Sequence, residues 1–106
     1  MKNVLFIITL SLLFVAGCVT AGKNFDSHVI KKIKNNVTMK SEIQQWLGYP
    51  YMTGVDNGSE SWNYHFTKAG AGDTLSKDLY IVFTDEGVVK SHTFSTSFPD
   101  EMSLPK

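Results

Sequence analysis

From Phe25 onward the hydrophobic positions change period once along the chain. Phe25, Val29, Ile30 and Ile33 recur at helical spacing, with Asp26 or Ser27 placed to cap the start. Lys31, Lys32 and Lys34 lie near the end of this segment, where a helix dipole favours positive charge, and Asn35-Asn36 stops it. A second helix is predicted after Thr38. Ile43, Trp46 and Leu47 stand at i, i+3 and i+4, Glu42 sits in the first turn, and Gly48 followed by Pro50 ends the run. Only a tight turn fits between the two, so the pattern predicts a helical hairpin.

The period then becomes two. Residues 51–60 read as a loop, with Asp56-Asn57-Gly58 as its strongest turn signal. Trp62, Tyr64 and Phe66 alternate with Asn63, His65 and Thr67, which predicts a half-buried strand with one aromatic face. Residues 68–77 (KAGAGDTLSK) read as a mobile hairpin loop; their Gly-Ala-Gly lacks the Gly-Lys-Ser/Thr and the helix of a phosphate loop. Leu79, Ile81 and Phe83 form one face of a second strand. Asp85-Glu86-Gly87 turns the chain, and Val88 to Ser95 returns with Val89 or Phe94 inward. The expected fold class is α+β: a two-helix hairpin packed on a three-stranded antiparallel meander, ααβββ. Trp46 and Trp62 are expected to join helix to sheet in the core.

The first 17 residues follow a different rule. Met1-Lys2-Asn3 carries one positive charge, and Val4 to Val15 is apolar except for Thr9 and Ser11. Twelve residues suit a secretory h-region and fall short of the roughly 20 that a membrane-spanning helix needs. The run ends in Val15-Ala16-Gly17-Cys18, the form of a bacterial lipobox: apolar, small, small, cysteine. Small residues let an extended backbone enter a peptidase cleft, and the Cys18 thiol is the nucleophile that receives diacylglycerol. The expected organisation is a lipoprotein signal peptide at 1–17, a lipidated tether at 18–24, a domain at 25–97 and a flexible tail at 98–106. Cys18 would carry the thioether-linked diacylglycerol and an N-acyl chain. Val19, rather than an aspartate, follows it, which in lipoproteins resembling those of enteric bacteria goes with transfer to the outer membrane.

Composition narrows the chemistry. The 106 residues hold ten lysines, no arginine and ten acidic side chains, for zero net charge. No basic patch argues for nucleic acid. The single cysteine excludes an internal disulfide and a Cys-rich zinc site. His28, His65 and His92 lack the spacing of paired metal ligands. No carboxylate pair or nucleophile elbow points to catalysis, so no enzyme activity, cofactor or metal is expected.

The motifs in order carry a resemblance. The lipobox, the segment ending near Ile33, then Thr38…Glu42-Ile43…Leu47-Gly48-Tyr49-Pro50, Trp62 with Tyr64, and Leu79, Ile81, Phe83, Gly87 and Val89 resemble the SmpA/OmlA (BamE-like) outer-membrane lipoprotein family over residues 18–95. The resemblance implies an ααβββ fold. It further implies a lipid-anchored, periplasm-facing scaffold or accessory protein of the outer membrane, in β-barrel protein assembly or envelope integrity. The partners implied are outer-membrane lipid and an envelope protein, with the β-barrel assembly machinery foremost. The alternative is a lipid-anchored protein-binding module, inhibitor-like or accessory to a secretion or conjugation apparatus. In the family the arm before the first helix is a contact region, and Lys23-Asn24-Phe25 matches its last positions. Lys23, Asn24 and Phe25, with Met52, Asp56 and Asn57 of the following loop, are therefore the candidate partner-binding residues. Phe25 opens the apolar stripe; it either staples the helix to the sheet or leaves part of its ring exposed as an anchor.

Overall fold

A computed structural model describes residues 19–102 of the chain. The expected signal peptide, Cys18 and the last four residues of the expected tail lie outside the described residues. The architecture corrects the sequence expectation. Instead of a helical hairpin on three strands, the described residues form a five-stranded antiparallel sheet with one short α-helix. The strands are β1 (Val19–Gly22), β2 (Met52–Asp56), β3 (Ser59–Ala69), β4 (Thr74–Phe83) and β5 (Val89–Thr96), and the helix is α1 (Lys40–Leu47). β3, β4 and β5 form the expected meander. β1 and β2 both pair with the outer side of β3, β1 along Phe66–Ala69 and β2 along Ser59–Asn63. They are thus collinear. The chain leaves the sheet at Gly22, builds the helical layer, and rejoins the same edge at Met52.

The predicted first helix is a 3-10 turn over Ser27–Lys32. Its Asp26 cap is as expected, the carboxylate accepting from the His28 amide at 3.0 Å. The turn is tighter because both of its apolar residues, Val29 and Ile30, are β-branched and the segment is too short to nucleate an α-helix. Burial follows a three-residue period, with Ser27, Ile30 and Ile33 all inward. Thr38 does not cap α1. Its hydroxyl accepts from the Lys34 amide at 2.8 Å inside the preceding turn, while the Glu42 carboxylate accepts from the Met39 amide at 3.0 Å to close the start of α1. Gly48, at φ 79°, ends the helix as anticipated.

The two expected loops are strand. Asn57 and Gly58 both have positive φ and link Asp56 to its partner Ser59, a two-residue hairpin turn that makes the preceding residues an edge strand. Likewise β3 and β4 run to Ala69 and from Thr74, so the real loop is only Gly70–Asp73. The tether residues Val19–Gly22 are β1, and Pro99–Glu101 of the expected tail is a second 3-10 turn.

The core lies between one sheet face and the helical layer. Trp62, Tyr64 and Phe66 of β3 join Leu79, Ile81 and Phe83 of β4 and Val89 and Phe94 of β5, against Ile30, Ile43 and Leu47. Edge-on ring contacts run from Phe83 through Trp62 and Tyr64 to Phe25. Trp62 is core, as expected. Trp46 is only partly buried, packed against the rim with the Lys32 ammonium 5.6 Å from its ring. Among the described residues one core-facing position is charged. Lys77, opposite Phe66, is buried, and its ammonium donates to the Phe25 carbonyl at 2.6 Å, the Ser27 hydroxyl at 2.8 Å and the Glu101 carboxylate at 3.2 Å. Stacking of Phe98 on Phe66 completes the attachment of the C-terminal turn.

Candidate functional site

The interruption between β1 and β2 is a structural opportunity. Where the chain departs at Gly22 and returns at Met52, no strand among the described residues lies beside the edge of β3 at Tyr64 and His65. A cleft of about 100 Å³ opens there. Lys23, Asn24 and Phe25 form the departing wall and Tyr49, Pro50 and Tyr51 the returning wall, with Leu47, Tyr64 and His65 beneath.

Each wall is fixed by local chemistry. Gly22 has φ 76°, and a β-carbon on it would lie 2.1 Å from the His65 carbonyl oxygen, so only glycine lets the chain turn out of the sheet here. Phe25 is held edge-on by Tyr64 and Phe94, with the Lys77 ammonium 4.5 Å from its ring centre. Across the cleft, the Tyr64 hydroxyl donates to the Gly48 carbonyl at 2.7 Å and pins the exit of α1. Burial pushes the Tyr64 phenol well above its usual range, so it stays a neutral donor. Pro50 then keeps the chain extended, leaving Tyr49 81% and Tyr51 51% exposed.

His65 forms the floor with both ring nitrogens engaged. Asp78 lies 2.8 Å from Nδ1 and the Thr67 hydroxyl 2.7 Å from Nε2, and the Tyr51 ring packs 5.4 Å away. The imidazole therefore presents its face, not a free nitrogen, to the cleft. Among the described residues no three His, Cys, Asp or Glu side chains converge as a metal site would require. No helix among them is long and apolar enough to cross a membrane.

The six candidate partner-binding residues divide. Lys23, Asn24 and Phe25 line the cleft, and Met52 begins β2 beside it, 59% exposed. Asp56 and Asn57 sit at the opposite end of β2, some four residues or roughly 14 Å away. The Asp56 carboxylate accepts from the Tyr80 hydroxyl at 2.7 Å on the outer sheet face. Phe25 is 8% exposed, a core residue whose edge forms a wall. Sequence reasoning missed Tyr49, Tyr51 and His65. The signal available was an aromatic pair flanking Pro50 directly after a helix stop, too polar in pattern for core and too aromatic for an ordinary loop.

A comparison with curated proteins returns no match. A family model described as "Outer membrane protein assembly factor BamE domain" matches residues 22–93. The match starts at the glycine that turns the chain into the cleft and ends within β5, so it takes in α1, β2, β3, β4 and the whole cleft. The chain belongs to the BamE family of outer membrane protein assembly factors.

Proposed function

We propose that the chain is a lipid-anchored, periplasm-facing accessory protein of the outer membrane that holds an envelope partner at the β1/β2 cleft, in the assembly of β-barrel outer-membrane proteins. The cleft carries this reading: it combines two exposed tyrosines and an apolar floor, the residue types favoured at interface centres, at the point where the N-terminal segment enters the fold. Cys18 directly precedes β1. Several acyl chains on its thiol and amine, at about 0.8 kcal/mol per buried methylene, would hold it firmly in a leaflet. Val19 pairs with Ala69, so such an anchor directs the β3–β4 hairpin end toward the bilayer. Lys23, just past the end of β1, then lies about four residues out, some 13 Å from the surface and within reach of a membrane-bound partner.

Two variants test the reading. Cys18→Ala should accumulate as precursor and lose labelling by a fatty-acid probe; continued labelling would refute the anchor. In mild detergent the wild-type protein should co-purify with β-barrel assembly subunits, and Tyr49→Ser/Tyr51→Ser should not, although it folds. Undiminished co-purification of that variant would refute the site. Absence of those subunits from the wild-type preparation would refute the assembly role and favour a binding module for another envelope partner.

A further inference from the structure

The two edges of the sheet are not equivalent. β5 exposes Lys90, Ser91, Thr93 and Ser95, and its pairing with β4 is bulged at Val82/Phe83, features that discourage a further strand. β2 has none of these protections. Met52, Thr53, Gly54 and Val55 are exposed and free of charge and proline, and no strand among the described residues pairs with their outer side. Its sole charged residue, Asp56, is tied back to Tyr80 across the sheet. Pairing along this edge, continued by one residue, passes Tyr51 and the mouth of the cleft.

The cleft itself selects by size and by charge. A dry 150 Å³ cavity accommodates benzene, so about 100 Å³ matches one branched aliphatic side chain and is small for an indole. Its floor offers Tyr64, Leu47 and the face of an imidazole whose nitrogens are already bonded, so a polar side chain seated on it gains no free ring nitrogen. Lys23 is the one ammonium on the rim, and no carboxylate among the described residues forms an ion pair with it. The geometry points to an extended protein segment as the occupant: it adds to the open edge of β2, seats one aliphatic side chain in the cleft, and sets a carboxylate beside that side chain against Lys23. This mode combines main-chain pairing for affinity with one pocket for specificity. It rests on the proposed role of the cleft as a partner site and names the chemistry of what binds there.

The test uses full-length protein in detergent micelles and a blocked seven-residue peptide of alternating valine and threonine, with leucine at the centre and aspartate beside it. Amide resonances of Lys23, Tyr51 and residues 52–55 should shift on titration, and those of β5 should not. Replacing the central leucine by serine or by tryptophan, or the aspartate by lysine, should each weaken binding at least tenfold. Lys23→Glu should reverse the preference, favouring the lysine peptide over the aspartate one. The inference is overturned by no shifts at millimolar peptide, by shifts confined to β5, or by equal affinity for all four peptides. If peptide binding fails while Tyr49→Ser/Tyr51→Ser still abolishes co-purification with assembly subunits, the cleft binds a partner by other chemistry. Loss of this inference then leaves the functional reading intact.

Discussion

Replacing Lys77 by methionine isolates the contribution of its buried ammonium to the core. Methionine keeps the unbranched length, so the cost comes from polar groups and not from a cavity. Three contacts disappear, to the Phe25 carbonyl, the Ser27 hydroxyl and the Glu101 carboxylate. Hydrogen bonds from a charged donor contribute about 1.5–3 kcal/mol each, but burial of the ammonium already offsets several kcal/mol of that sum. What remains is the penalty on the stranded acceptors. The Phe25 carbonyl loses its donor at about 1–3 kcal/mol. Glu101 already has one carboxylate oxygen buried without a partner, so it swings out to water and releases the C-terminal turn. The expected destabilisation is about 2–3 kcal/mol, or roughly 10–20 °C in melting temperature for a domain of this size. Glu101→Gln, which keeps an acceptor but removes the charge, should cost about 1 kcal/mol. Because the two side chains share one contact, the effects should not add. Glu101→Leu in the Lys77→Met background should be at least 1 kcal/mol less harmful than in the wild type. Urea unfolding of a lipid-free fragment starting at Val19, followed by tryptophan fluorescence, measures all of these. A Lys77→Met midpoint within error of the wild type, with additive double substitutions, would refute the clamp.

Three further outcomes follow from other positions. Gly22→Ala should detach β1 from β3, because its β-carbon would overlap the His65 carbonyl; amide exchange of residues 66–69 should speed up while β4 stays protected, and unchanged exchange would contradict the close approach. Burial lowers the pKa of His92 below its ordinary 6.5, so the unfolded chain takes up the proton first. Stability from this residue is complete above about pH 6.5 and declines as pH falls through the lower folded value; His92→Gln should flatten that part of the urea-midpoint profile, and an unaltered slope would show the ring to be solvated. Trp62→Ala should cost about 3–5 kcal/mol as a core deletion, against about 1–2 for the rim residue Trp46, and equal losses in calorimetry would contradict their different burial.

The legible part of the fold was the part with a clean period. Trp62, Tyr64 and Phe66, with Leu79, Ile81 and Phe83, announce their strands because one face is buried and the other wet. Gly48 and Pro50 fix the end of α1 by backbone chemistry alone. The edge strands were illegible because nothing covers them. Met52–Asp56 has no buried face to impose alternation, and only the Asn57-Gly58 turn betrayed the hairpin. β1 depends on Gly22 approaching a strand more than 40 residues later, which no local pattern encodes. Lys77 misled by polarity: an ammonium is placed in a loop by composition, yet three acceptors from distant segments bury it. The candidate site was half visible for the same reason. Lys23, Asn24 and Phe25 were candidates from their place before the helical layer and line the cleft, whereas Tyr49, Tyr51 and His65 become neighbours only once β1 and β2 share one edge of β3.

The most direct measurement is site-specific photo-crosslinking in cells, with a benzophenone amino acid placed at Tyr51 in the cleft or at Thr93 on the exposed face of β5. Tyr51 should capture a subunit of the β-barrel assembly machinery and Thr93 should not. Capture from Thr93 with none from Tyr51 would put the partner surface on the other side of the sheet and contradict the account.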